Sequence, residues 1–119
     1  MIHPLLNKDS ASHYDNGKKA SIYEHEKNAT VAGMVEVAEF EIFKYTSRLG
    51  KKSYITEFVS DEHKRVHLEF IKRKDLKKIE TWKNYKELLI PMLHKGYAKM
   101  SVRYAIDNFY PNMKYTLGD

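Results

Sequence analysis

The chain has 119 residues, with 21 Lys and Arg against 16 Asp and Glu, and its formal net charge is +5. This length suits one domain with a modest core, and the hydrophobic and charged fractions of 42% and 31% are those of a globular protein rather than a disordered one. The sequence contains no cysteine, which excludes disulfides, thiolate metal sites and cysteine nucleophiles, and no apolar run approaches the ~20 residues of a membrane-spanning helix.

The same composition bears on partners and location. A basic surface favours anionic partners. In many proteins, however, a net charge of this size serves only to keep the protein soluble. The start of the chain, Met1–Lys8, lacks the charged segment and long apolar stretch of a signal peptide. We therefore expect a cytoplasmic protein that does not associate with membranes.

The first 20 residues are predicted to form an irregular arm. Ser10–Ser12 and Asp15–Gly17 are typical of turns, because Asn and Gly tolerate positive φ. His13 and Tyr14 lie between the two turns, and the segment has neither helical nor strand periodicity.

The strongest predicted element is a helix from about Thr30 to Leu49. Thr30 is a suitable N-cap, and Gly50 is a typical residue at a helix C-terminus. Apolar residues recur at steps of three and four, as in a helix with one face on a core; they are Val31, Met34, Val35, Ala38, Ile42, Tyr45 and Leu49.

Residues 53–71 fit two structures. Tyr54–Val59 is rich in β-forming residues, and Val66–Phe70 alternates apolar and polar positions, so a β-hairpin that turns at Ser60–Glu62 is one prediction. Residues 61–73 also contain good helix formers, with Ser60 as a cap, so a helix is the other. The hairpin is the preferred interpretation.

Two more helices are predicted after this segment. The second begins near Asp75 and is ended or kinked by Pro91, and Gly96 then breaks the chain. A third covers 98–109, and 111–119 form a tail. The predicted fold class is thus mainly α, with about three helices and a small β-hairpin insert (α+β), in a single domain over residues 1–119. The first two helices should pack antiparallel through Ile42, Tyr45, Ile79 and Trp82.

The first helix ends in a candidate anion site. Lys44 and Arg48 are four residues apart and share one face, and Lys51 and Lys52 follow. Because neighbouring like charges repel, a phosphate or carboxylate between them would be favourable. Basic residues at a helix C-terminus are also expected for a local reason, since that end carries partial negative charge, and both interpretations stay open.

Basic and aromatic residues in the second half of the chain indicate a candidate nucleic-acid surface. Lysine and arginine neutralise phosphates, and aromatic rings stack on single-stranded bases. The alternative is a solvated helix face together with rings that close the core or an oligomer interface. The candidate residues are Lys72, Arg73, Lys77, Lys78, Lys99, Arg103, Tyr104 and Tyr110.

Other chemistry has little support in the sequence. His63 and His67 are four residues apart, but two ligands without an obvious third are weak evidence for a metal site. The chain has no phosphate-binding loop, no GxGxxG turn and no GxSxG elbow. We expect neither a metal nor a cofactor, and no catalytic residue can be named from the pattern.

Three motifs together resemble the SaV-like family of small bacteriophage proteins. They are His13-Tyr14, Lys44-Tyr45-x-x-Arg48-x-Gly50-x-Lys52 and Asp75-Leu76-Lys77-Lys78-Ile79, within residues 13–90. The family includes a coliphage nucleotide kinase without a phosphate-binding loop and a lactococcal phage protein that sets sensitivity to a host abortive-infection system.

The resemblance implies a phage protein that acts in the cytoplasm of an infected bacterium. It also implies a nucleotide or phosphate site, whose residues by motif match are His13, Tyr14, Lys44, Tyr45, Arg48 and Asp75, with Lys52 as a further phosphate contact. One departure matters for this site: Glu41 stands where the family often has Asn, and a carboxylate repels phosphate unless a cation such as Lys44 offsets it.

Three functions are therefore compatible with the sequence. The preferred hypothesis is a homo-oligomeric protein that binds nucleic acid, most plausibly single-stranded. The second is a nucleotide kinase or another deoxynucleotide-binding enzyme, in which Lys44 and Arg48 hold a phosphate. The third is a module that binds a host protein, for example a defence protein.

Overall fold

A computed structural model of the chain describes residues 1–5, 21–49 and 61–114, with the backbone alone for Ser21, Tyr23 and 61–71. These residues form four helices: α1 Ser21–Glu26, α2 Val31–Arg48, α3 Asp61–His94 and α4 Val102–Phe109. The prediction of a mainly α fold is confirmed. The short helix α1 was not predicted from the sequence.

Helix α2 agrees with the sequence prediction to within one residue at each end. Thr30 is the N-cap, and its Oγ1 accepts a hydrogen bond from the Gly33 N–H at 3.0 Å, while Leu49 is the C-cap. Gly50 lies outside the described residues. The predicted apolar face lies on the core, with Val31, Met34, Val35 and Ala38 buried.

Helix α3 begins at Asp61 rather than near Asp75 and contains 34 residues. The hairpin prediction is therefore wrong for its second strand, because Val66–Phe70 lies inside the helix; the first strand, 54–59, lies outside the described residues. The straight-chain helix formers between 61 and 73 outweigh the short alternating pattern. The helix also continues past Pro91 to His94. Proline removes one backbone donor from the helix, but it does not end the helix.

Helices α2 and α3 pack antiparallel, as predicted. Lys86 Nζ of α3 lies 3.3 Å from Glu39 Oε1 of α2, and Lys78 Nζ lies 4.9 Å from the centre of the Tyr45 ring. Residue numbers thus fall along α3 as they rise along α2. Of the four residues predicted at this contact, Ile79 is buried and Ile42, Tyr45 and Trp82 are half-buried.

The N-terminal ends of α2 and α4 are joined by reciprocal backbone hydrogen bonds. The Val31 N–H donates to the Met100 carbonyl at 3.0 Å, and the Val102 N–H donates to the Ala29 carbonyl at 2.9 Å. The caps Thr30 and Ser101 therefore lie side by side as an antiparallel bridge. The first N–H groups of a helix have no acceptor within that helix, so the residue before the cap of each helix supplies an acceptor that the other helix lacks. Helix α4 thus begins at Val102, four residues later than the predicted position 98.

The two ends of the chain also meet. The His3 N–H donates to the Lys114 carbonyl at 2.6 Å, and the Lys114 N–H donates to the Met1 carbonyl at 2.8 Å, as a parallel bridge centred on Ile2 and Lys114. Leu5 is buried in the core cluster. The sequence predicted an irregular arm at one end of the chain and a tail at the other, but Met1, His3, Leu5 and Lys114 are part of the packed structure.

Gly96 ends α3 in a conformation that favours glycine. Its φ is +98°, the Gly96 N–H donates to the Leu93 carbonyl at 3.2 Å, and the Tyr97 N–H donates to the Met92 carbonyl at 3.1 Å. This pair of hydrogen bonds is the Schellman motif, in which the residue after the C-cap is left-handed. The sequence prediction of a break at Gly96 is confirmed.

Replacement of Gly96 tests this helix end. Gly96→Ala should lower the free energy of unfolding by about 1 kcal/mol, because a Cβ disfavours left-handed backbone. A Cβ at this position meets no atom within 4 Å, so the loss comes from the backbone and not from a clash. Gly96→Asn should lose clearly less, since Asn tolerates this conformation. Urea unfolding measures both, and equal losses for Ala and Asn would contradict the assignment.

Candidate functional site

The C-terminal end of α2 and the middle of α3 gather three basic side chains around one tyrosine ring. From the centre of the Tyr45 ring, Lys44 Nζ lies at 4.8 Å, Arg48 Cζ at 5.4 Å and Lys78 Nζ at 4.9 Å. We call Lys44, Tyr45, Arg48 and Lys78 the Tyr45 cluster. Lys44, Tyr45 and Arg48 were predicted as one site, and Lys78 was predicted as part of a separate surface on the second helix.

The antiparallel packing explains why these four residues meet. Tyr45 is in the apolar stripe of α2, near the end of the helix, so its ring faces α3 and is half-buried. Lys44 and Arg48 are one residue before and three residues after it on the same helix, and Lys78 reaches it from α3. Aromatic rings attract cations by about 0.5–1 kcal/mol at exposed positions, which offsets part of the repulsion among the three charges.

Glu41 is the acidic neighbour of the Tyr45 cluster. Its Oε2 lies 2.9 Å from Lys44 Nζ, one turn along α2. The hydrogen bond to Glu41 raises the pKa of Lys44 above its usual range, so that Lys44 keeps its charge at neutral pH. The Glu41 carboxylate is thus offset by Lys44.

Exposed basic residues of α3 extend the Tyr45 cluster. Lys72, Arg73, Lys77 and Lys78 are all exposed, and Arg73 and Lys77 share one face of the helix because they are four residues apart. Through Lys78, the predicted basic segment of α3 thus meets the basic end of α2. Asp75, which the sequence resemblance predicts as a site residue, is buried in the same stretch of α3.

Lys99 and Tyr104, which were predicted to belong to the same nucleic-acid surface, lie at the other end of α2. Both are exposed, but they flank Ser101, which is paired with Thr30 at the start of α2. Helix α2 has 18 residues, so its two ends are about 27 Å apart. The structure thus separates the predicted nucleic-acid residues into two groups.

Two further predicted nucleic-acid residues have hydrogen-bond partners within the fold. The Arg103 guanidinium is buried and paired with Glu26, so it is not presented to a nucleic acid, which corrects that assignment. Tyr110 is half-buried; its hydroxyl donates to the Leu88 carbonyl at 2.7 Å, and burial raises the pKa of Tyr110. His13, Tyr14 and Lys52 lie outside the described residues.

A buried polar cluster, which was not predicted from the sequence, surrounds the carboxylate of Glu26. Glu26 Oε2 accepts hydrogen bonds from the Tyr85 hydroxyl and from His3 Nε2, the latter at 2.9 Å, and Glu26 Oε1 accepts from Arg103 Nη2. We call His3, Glu26, Tyr85 and Arg103 the Glu26 cluster. Its members come from the N-terminal segment, α1, α3 and α4.

The hydrogen bonds define the protonation of His3. The Leu5 N–H donates to His3 Nδ1 at 3.1 Å, so Nδ1 carries no proton. The proton of the neutral imidazole is therefore on Nε2, which donates it to Glu26. The cluster holds one anion, Glu26, and one cation, Arg103, so its charges balance inside the protein.

Burial indicates a structural role for the Glu26 cluster. His3, Glu26 and Tyr85 are 0% exposed, so a substrate in solution does not reach them. One feature of the sequence could have indicated this cluster. Arg103 lies among the buried residues Val102, Ala105 and Ile106 of α4, and a charged residue on an apolar face needs a buried partner.

Metal-binding and membrane-spanning features are not found in the described part of the chain. Among the side chains of residues 1–5, 22–49 and 72–114 that the structure describes, no group of three His, Asp or Glu residues is arranged to hold a metal ion. Of the helices in the same part, none has the length and apolar character to cross a membrane.

Comparison with protein-family models, with curated proteins and with solved structures finds no match to this chain. The resemblance to the SaV-like family therefore stays a prediction. The function has to be inferred from the geometry and charges of the described residues.

Removal of the Glu26 charge should be strongly destabilising. Glu26→Gln leaves the buried Arg103 without its main counter-charge, and we expect a loss of about 3 kcal/mol in the free energy of unfolding. Glu24→Gln is the matched control on the same helix, because Glu24 is exposed and pairs with Lys27 at 3.1 Å on the surface; it should change stability by less than about 0.5 kcal/mol. Similar losses in urea unfolding would show that Glu26 is not the central acceptor.

The Tyr85 hydroxyl should make stability depend on pH in the alkaline range. Burial, followed by the charge of Glu26, raises the pKa of Tyr85 far above its usual value. The unfolded chain releases this proton near pH 10 and the folded protein keeps it, so the contribution of Tyr85 is complete below about pH 10 and falls as pH rises.

Tyr85→Phe removes this titration. The variant should be less stable than wild type by about 1–2 kcal/mol at neutral pH, and the difference should narrow by about 1 kcal/mol between pH 10 and pH 11. Unfolding at both pH values measures the change. A difference that stays constant or widens would contradict a protonated, buried Tyr85.

Proposed function

We propose that the protein binds nucleic acid through phosphate contacts at the Tyr45 cluster and the adjacent basic surface of α3. The observation that supports this most directly is the convergence of Lys44, Arg48 and Lys78 on one ring from two helices. The proposal retains the function preferred from the sequence, and it moves the binding surface to the C-terminal end of α2.

The three basic side chains of the Tyr45 cluster repel one another. Three cations lie within 5.4 Å of one ring centre, and the Glu41 carboxylate offsets one of them. A concentration of basic side chains raises the local affinity for anions, and Lys72, Arg73 and Lys77 add further basic side chains from α3. Each lysine or arginine that neutralises a phosphate releases condensed counterions, which drives association with nucleic acid.

The shape of the Tyr45 cluster favours a single strand. A duplex carries its phosphates at a fixed spacing along a stiff rod, whereas a single strand can bend so that neighbouring phosphates converge on a compact group of cations. Base stacking contributes less than the sequence suggested, because Tyr110 is held by Leu88 and Tyr104 lies at the far end of α2. We therefore expect charge to contribute more than base identity.

The cellular setting follows from the family resemblance rather than from the geometry. A phage protein of this kind would act on nucleic acid in the cytoplasm of an infected bacterium, where a host abortive-infection system could detect it. The alternative ligand is a nucleotide, which the same cations would hold by a single phosphate group.

Substitution of Lys78 tests the proposal against a matched control. Lys78→Ala should weaken binding of a labelled single-stranded oligonucleotide about fivefold, or roughly 1 kcal/mol, and should reduce the slope of log K against log salt by about 0.7. Lys99→Ala removes the same charge at the other end of α2 and should change neither quantity. Fluorescence anisotropy at several salt concentrations measures both variants.

Three outcomes would overturn the proposal. Wild-type protein that does not bind the oligonucleotide, or binds it equally at all salt concentrations, excludes a phosphate-driven interaction. Equal weakening by Lys78→Ala and Lys99→Ala would show that the Tyr45 cluster is not the site. Saturable binding of a deoxynucleoside monophosphate, without binding of the oligonucleotide, would replace nucleic acid by a nucleotide as the ligand.

A further inference from the structure

The face of α2 that is directed away from the core is apolar at its centre. Val37, Phe40 and Phe43 are 37%, 61% and 69% exposed. They are three residues apart, so their side chains cover one continuous area across two turns of the helix. The buried residues Met34 and Ala38 occupy the opposite face. We call the side with Glu36, Val37, Phe40, Phe43 and Lys44 the outer face of α2.

Two exposed phenylalanines on adjacent turns indicate that this surface binds a partner. Single apolar residues on a surface are common, but a contiguous apolar patch with charged residues at its border marks a protein interface. Phenylalanine is also among the residues enriched at the buried centres of interfaces, because its large ring loses much water contact on association.

The charges of the outer face identify the partner. Glu36 lies four residues before Phe40, and Lys44 lies four residues after it, on the same face. If two copies of α2 meet antiparallel around a two-fold axis at Phe40, residues at equal distance on either side of Phe40 come opposite each other. Val37 then faces Phe43 of the second copy, and Glu36 faces Lys44.

We propose that the protein forms a homodimer through the outer faces of two antiparallel α2 helices. A parallel pair would place Glu36 against Glu36 and Lys44 against Lys44, which is unfavourable, so the charges select the antiparallel arrangement. A two-fold interface uses the same surface of each copy and must be complementary to itself. The outer face meets this condition in its apolar centre and in its opposite charges at the two borders.

The expected size of the interface predicts its strength. A helix of 18 residues is about 27 Å long, so one face of it buries an area at the low end of the range for specific interfaces. The dimer should therefore be reversible and depend on concentration. The proposed contacts of the outer face do not use Arg48 or Lys78, so the inference holds whether or not the Tyr45 cluster binds nucleic acid.

The first experiment measures mass against concentration. In sedimentation equilibrium, the wild-type protein should pass from monomer to dimer as its concentration rises, and Phe40→Lys should raise the dissociation constant at least tenfold. Tyr104→Lys is the matched control, because Tyr104 is 58% exposed on α4, and it should leave the equilibrium unchanged. A wild-type protein that is monomeric at all concentrations, or a dimer that is unaffected by Phe40→Lys, overturns the proposal.

The second experiment tests the antiparallel geometry. Glu36→Lys and Lys44→Glu should each weaken the dimer, since each places like charges opposite each other. The double variant should recover the dimer, and an equimolar mixture of the two single variants should form heterodimers in preference to either homodimer. Circular dichroism checks that the helices remain. Single variants that weaken the dimer without recovery in the double variant would exclude the pairing of Glu36 with Lys44.

Discussion

The buried carboxylate of Glu26 is the constraint on which the rest of the described structure depends. A charge inside a protein is costly unless opposite charge and hydrogen bonds compensate it, and Glu26 receives both from Arg103, Tyr85 and His3. These three partners come from α4, α3 and the N-terminal segment. The apolar core can tolerate small shifts of its side chains, whereas this set of hydrogen bonds exists in only one arrangement of the four segments.

The position of Glu26 in the chain transmits this constraint to α2. Glu26 ends α1, and Ala29, three residues later, accepts the hydrogen bond from Val102 at the start of α4. The N-cap Thr30 follows directly. Arg103 and Val102 are adjacent, so the side chain of one and the backbone of the other attach α4 to the same short segment. The start of α2 is therefore fixed by polar contacts from two directions, and its far end is left to carry the basic residues.

The distribution of buried residues supports this difference between the two ends of α2. The apolar residues that are fully buried are found in the first half of α2, along Tyr85–Met92 of α3 and in α4, for example Met34, Leu89 and Ile106. Toward the end of α2, Ile42 and Tyr45 are only half-buried. Regions with fewer buried contacts open more readily. The Tyr45 cluster thus occupies the less constrained end of the molecule, where side chains can adjust to an anion.

The contrast between α2 and α3 shows how much of this structure could be predicted from the sequence. Helix α2 was predicted to within a residue because its signals are local: a cap and apolar residues at helical spacing. The start of α3 was not predicted correctly, because the five residues Val66–Phe70 alternate in a way that also fits a strand. Only the wider run of helix formers decides between a strand and a helix.

The Glu26 cluster could not be predicted from the sequence. Its members are 23, 59 and 77 residues from Glu26, and no local spacing connects residues so far apart. Arg103 was interpreted as a surface charge because basic residues next to aromatic ones suggest nucleic acid. The Tyr45 cluster falls between these cases: its two halves were visible as separate basic segments, and only the antiparallel packing of α2 on α3 brings them together.

Lys44 connects the two proposed interactions of the protein. It contributes one of the three cations around Tyr45, and it also lies on the outer face of α2, where the dimer would place it against Glu36 of the second copy. One ammonium group cannot pair fully with a phosphate and with two carboxylates, Glu36 and Glu41, at the same time. Binding of an anion and formation of the dimer must therefore oppose each other through Lys44. Because such coupling is reciprocal, an anion that weakens the dimer is itself bound less tightly by the dimer than by the monomer. Arg48 and Lys78 take no part in the proposed pairing with Glu36, and they limit the size of that loss.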